Sequence, residues 1–93
     1  MSHVVANRKK LLARVNRLIG QMNALKGDIE TAEHDEDCAR ILQQIASIRG
    51  AIGGLGMLFV EDHLRDHVAR GKTVGERVGA AEELLTALKS FGA

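Results

Sequence analysis

Residues 37–70 read DCARILQQIASIRGAIGGLGMLFVEDHLRDHVAR, and this stretch decides the fold. Its apolar side chains Ile41, Ile45, Ile48, Ile52, Leu55 and Phe59 step alternately by four and three. That spacing is the heptad seam of a helix packed along its length on another helix. The stretch also holds the only cysteine, Cys38, and two of the four histidines, His63 and His67. At ~100° per residue, Cys38 to His63 turns ~2500° and Cys38 to His67 ~2900°, each within roughly 20° of whole turns. One thiol and two imidazoles therefore share a helix face. At a rise of ~1.5 Å per residue, Cys38 and His63 are ~38 Å apart along the axis and cannot meet in one straight helix. They meet if two copies pack antiparallel about a two-fold axis near residue 51, once at each end. Gly50, Gly53, Gly54 and Gly56 crowd that midpoint. Each costs a helix up to ~1 kcal/mol, and close backbone approach at the crossing is a reason to carry them. The plainer alternative makes Cys38 a buried small apolar residue and leaves the histidines solvated. Two histidines at i, i+4 in line with the thiol weigh against it.

The rest of the chain agrees with a helical reading. Its 93 residues make one small domain, with no proline, tryptophan or tyrosine and only two phenylalanines. The apolar content is almost all Leu, Ile, Val and Ala, an all-α composition. So short a chain buries a limited core alone, and long seamed helices leave apolar stripes, so an oligomer is expected. One cysteine forms no internal disulfide. No signal-like segment opens the chain and no apolar run is long enough to span a membrane, which predicts a cytoplasmic protein with a reduced thiol.

The net charge of +1 hides a segregated pattern. Residues 1–27 hold Arg8, Lys9, Lys10, Arg14, Arg17 and Lys26 without an acid, and residues 28–37 hold six acids without a base. A first helix is predicted over about residues 7–30, with the seam Leu11, Val15, Leu18, Met22, Leu25 and Ile29. Lys10, Arg14 and Arg17 stand off that seam as a basic stripe at i, i+4, i+7. Three charges on a helix are usually just a solvated face, but the absence of acids before Asp28 points to an anion. Without aromatic stacking platforms, single-stranded nucleic acid is disfavoured, and duplex phosphate is the better partner. Arg14 and Arg17 are the chief candidates, with Lys9, Lys10 and Arg49 in support.

Residues 1–6 lack periodicity and are expected to form a mobile arm. Removal of Met1 before the small Ser2 would leave a free amine beside His3. Residues 31–36 form the turn into the second helix, about residues 37–70, and Asp35, Glu36 and Asp37 at its N-terminus oppose the dipole. His34 precedes that helix and is expected to be solvated. Gly71 caps its C-terminus. Thr73 and Glu76 have capping-box spacing and open a third helix, about residues 74–91. Its apolar face is Val78, Ala81, Leu84 or Leu85, Leu88 and Phe91, a cover over the hairpin.

One thiolate with imidazoles suits a borderline or soft divalent ion. His3 and the Ser2 amine could add ligands. A mostly nitrogen site with a single thiolate favours Ni(II) or Co(II), and Zn(II) fits at lower coordination. Cysteine nucleophilic catalysis has no oxyanion-stabilising loop or substrate pocket to work with, so no enzyme is expected.

The segments ILQQIASIRGAIGGL, from Ile41, and RVNRLIGQM, from Arg14, resemble the signature blocks of the CsoR/RcnR family of small helical repressors. The resemblance covers essentially the whole chain and departs at Gly53, where relatives carry Asn. It implies a three-helix protomer, an antiparallel four-helix-bundle dimer and a dimer of dimers. It also implies operator-DNA binding without a helix-turn-helix, and release on inducer binding. The family's sensing positions fall on Cys38, His63 and His67, and copper sensors carry a second cysteine where this chain has His67. The MSH start with the set His3, Cys38, His63 and His67 is similar to the nickel/cobalt-sensing branch. The formaldehyde-sensing branch, which bridges the cysteine and the N-terminal amine, is the nearest rival. There Pro follows Met, where this chain has Ser2. A helical metal-binding or scaffold protein without DNA is the alternative from another class.

Overall fold

Two runs of apolar residues at heptad spacing, and nothing with the alternation of a strand, leave the chain one option. The computed structural model describes residues 3–91, with the backbone alone of His3, and no strand occurs among them. Helix α1 spans His3–Ala6, α2 Arg8–Thr31, α3 Asp35–His63 and α4 Val74–Ser90, with a π-helical segment, Leu64–Ala69, directly after α3. The chain divides into two units, Met1–Leu55 and Gly56–Ala93.

In the first unit each seam splits into two stripes. Leu18 and Leu25 of α2 and Ile48 of α3 are buried, with Ile41, Ala51 and Leu55 packed around them. Each buried set recurs every seven residues. The alternate sets stay open: Val15, Met22 and Ile29 on α2, and Ile45 and Ile52 on α3, with Met22 51% and Ile52 49% exposed. A four-three seam can meet two neighbours, and a single chain supplies one of them here. The Gln44 amide nitrogen donates to Asp28 and ties α3 to α2.

Asp37 closes the turn before α3. Its carboxylate accepts the Glu33 and His34 backbone N–H groups at 3.0 Å each. Those two bonds, with Arg40 nearby, hold the carboxyl below its ordinary range. The acids expected to oppose the dipole thus include one that builds the turn itself. Ahead of α2, His3–Ala6 form a single helical turn.

In the second unit the α-helix expected to reach residue 70 gives way after His63 to π geometry, closed by Arg70 N–H donating to Arg65 O at 3.2 Å. Gly71 follows for want of space. A Cβ there would stand 2.6 Å from His67 O and would also strike the Arg77 side chain. Thr73 Oγ1 accepts from Glu76 N–H, and the Glu76 carboxylate accepts from Lys72 N–H, both at 3.0 Å. The capping box therefore reaches one residue further back than its usual form.

Helix α4 turns Ala80 inward, with Ala81, Leu84, Ala87 and Leu88 half-buried. The apolar face is rotated from the expected one: Val78 and Leu85 lie open, and Leu84 takes the inner position. Phe91 is exposed, but its ring also lies over Gly56, where a Cβ would come within 2.6 Å of Cζ. Gly56 thus has a reason inside the chain. At Gly50, Gly53 and Gly54 a Cβ meets nothing within 4 Å among the described residues.

Candidate metal centre and nucleic-acid interface

His63 ends α3 and His67 sits in the π-helical segment, so a single turn separates them. Their ring centroids are 5.1 Å apart and the planes tilt by 51°. His63 Nε2 lies 3.1 Å from Ala80 O and 3.4 Å from a Glu83 carboxylate oxygen. Both partners only accept, so the ring proton is assigned to Nε2, which donates to Ala80 O. In the neutral imidazole the lone pair then resides on Nδ1. Metal-binding imidazoles are commonly oriented by such a bond from the other ring nitrogen to a carbonyl or carboxylate. The donor set therefore fits a divalent ion that takes imidazole nitrogen. His63, His67, Gly75, Glu76, Gly79, Ala80 and Glu83 line an open cleft of about 400 Å³.

Cys38 is exposed in the first turn of α3 and belongs to the other unit. The structure therefore brings together two of the four expected ligands, His63 and His67. No three His, Cys, Asp or Glu residues form a metal-binding group among the described residues of one chain. Ser2 and the His3 side chain lie outside what is described. His34 is exposed, and its backbone N–H goes to Asp37.

Glu83 and the Ala80 carbonyl were not apparent from sequence. Their one signal is the i, i+3 spacing on a helix predicted to cover the hairpin. Which turn of α4 meets His63 depends on the 71–73 turn, and spacing does not specify that geometry.

On the first unit, Arg8, Lys9, Lys10, Arg14 and Arg17 are all exposed along α2. Arg14 and Arg17 line a cleft of about 490 Å³ with Gln21, Gly50 and Gly54. Arg49 is exposed but is not part of that cleft. Among the described residues the lysine and arginine ion pairs join Lys26 to Glu30, Arg40 to Asp37 and Arg65 to Asp62, and none involves Arg14 or Arg17.

This geometry has counterparts in known proteins. The sequence profile of the metal-sensitive transcriptional repressors matches residues 7–90. A protein of Serratia marcescens encoded in the bioA 5′ region is 42% identical over 92 residues, covering 98% of each chain. The transcriptional repressor RcnR of Citrobacter koseri is 36% identical over 91 residues, again covering 98% of each. Among solved structures, a variant of the formaldehyde-responsive regulator FrmR from Salmonella enterica serovar Typhimurium superposes with a TM-score of 0.80. It shares 39% identity and covers 96% of this chain and 98% of its own.

Proposed function

The chain belongs to the metal-sensitive transcriptional repressors, proteins that are not enzymes, and from that premise we propose that it represses from duplex operator DNA and releases it on binding Ni(II) or Co(II). Release would derepress genes of metal efflux or detoxification. The observation that carries this reading is the His63–His67 pair, with His63 Nε2 engaged by Ala80 O and Nδ1 left to bind. Nitrogen donors with one thiolate select Ni(II) or Co(II) over Cu(I). His63 and His67 of one chain bind together with Cys38 of another, and His3 and the Ser2 amine complete the shell. Zn(II) is held by fewer ligands and leaves the N-terminal arm out.

The open stripes support a second chain. Val15, Met22, Ile29, Ile45 and Ile52 form an apolar face that a copy of the same face covers, giving a four-helix dimer and then a dimer of dimers. No helix among the described residues is long and apolar enough to cross a membrane. Arg14 and Arg17, supported by Lys9, Lys10 and Arg49, contact DNA phosphates, which makes binding steeply salt-dependent. Recruiting His3 to the inducer repositions the start of α2, where this basic stripe begins, and DNA affinity falls.

Formaldehyde sensing is the second reading. It is favoured by the exposed Cys38 thiol and by the formaldehyde-responsive neighbour. Co(II) spectroscopy separates the two. Metal sensing gives a thiolate-to-cobalt charge-transfer band that Cys38→Ala abolishes and His63→Ala or His67→Ala weakens. Absence of that band at saturating Co(II) would remove Cys38 from the metal and leave the aldehyde reading in place.

A further inference from the structure

The cleft between α2 and α3 has Arg14 and Arg17 on one wall and Gly50 and Gly54 on the other. Neither guanidinium pairs with a carboxylate among the described residues, and α2 carries no acid before Asp28. Both glycines are exposed, and a Cβ at either meets nothing within 4 Å. No contact among the described residues therefore calls for glycine, whereas mid-helix glycine is disfavoured against alanine. The two positions are one helical turn apart, so side chains there would stand together in the cleft facing the arginines.

We infer that Gly50 and Gly54 are bare so that a DNA phosphodiester strand can sink between the two guanidinium groups and the α3 backbone. The cleft offers cationic donors and no carboxylate, which suits an anion, and arginine forks engage phosphate oxygens in pairs. The glycines then determine how closely the strand approaches, and they act on phosphate rather than on base sequence. This rests on the DNA-binding reading above. Gly53 has no such role, and nothing in the structure explains it.

The test compares wild type, Gly50→Ala/Gly54→Ala, the bulkier Gly54→Gln, and Arg14→Ala as a control. Each is titrated at low salt onto the duplex upstream of its own gene and onto a random duplex of equal length. The double alanine variant should melt at a higher temperature and keep wild-type mass and Co(II) affinity. It should bind both duplexes about tenfold more weakly, with Gly54→Gln weaker still. Its salt dependence should flatten by about 0.9 in log–log slope for each phosphate that is no longer neutralised. Unchanged DNA affinity would overturn the inference. So would a loss of oligomer mass, which would make the cleft a seat for another copy, or a loss of folding, which would tie the glycines to the protomer. Wild-type protein that binds neither duplex would overturn the DNA reading itself, a result distinct from normal wild-type binding left intact in the glycine variants.

Discussion

His63 Nε2 stands 3.4 Å from a carboxylate oxygen of Glu83, one turn of α4 beyond the Ala80 carbonyl that it also meets. A helix read from sequence as an apolar cover thus holds an imidazole in one orientation. Glu83→Ala should lower Co(II) affinity by roughly tenfold, the lower end for loss of a group behind a metal ligand. Glu83→Gln, which keeps an acceptor, should lose less. Competition with a chelating dye measures both. Equal and unchanged affinities would show that Ala80 O orients His63 alone.

The open stripe on α2 and α3 makes a separate claim. A carboxylate at its centre, as in Met22→Glu or Ile52→Glu, places charge where a second chain would lie. Light scattering should report a shift toward the ~10 kDa protomer, with lost cooperativity in unfolding, because an apolar face of this size left in water is poorly tolerated. Full oligomer mass in both variants would put the interface elsewhere.

Thr73 opens α4 by accepting the Glu76 N–H. Thr73→Ala should cost ~1 kcal/mol, the usual value of an N-cap side chain. Thr73→Ser should restore most of it. Chemical denaturation at fixed protein concentration gives the comparison, and an unchanged midpoint in Thr73→Ala would show that the Glu76–Lys72 bond suffices.

Much of this was legible in the residues. The heptad steps of Leu11, Leu18 and Leu25 and of Ile41, Ile48 and Leu55 identify the hairpin, because burial on a helix leaves a period. The Thr73–Glu76 spacing marks the start of α4 for the same kind of local reason. The π segment was not legible, since His63 and His67 share a face at i, i+4 in either helical form. The rotation of α4 that exposes Val78 and places Glu83 beside His63 lies beyond the 71–73 turn, where no periodicity reads, and a Cβ on Gly71 there would stand 2.6 Å from His67 O. Gly56 looked like part of a helix crossing, and its partner, Phe91, lies far along the chain where no periodicity links the two.

The most direct measurement follows a labelled operator duplex by fluorescence anisotropy while Ni(II), Co(II), Zn(II) and formaldehyde are added in turn. Ni(II) and Co(II) should release the DNA with a coupling of about 1–3 kcal/mol, and DNA should weaken metal binding by the same factor. Zn(II) should bind with incomplete release. His3→Ala should keep much of its metal affinity and lose much of the coupling, while Cys38→Ala should lose both. Release by formaldehyde alone, with Ni(II) and Co(II) silent, would contradict metal sensing, and a wild-type response in His3→Ala would contradict the role of the N-terminal arm.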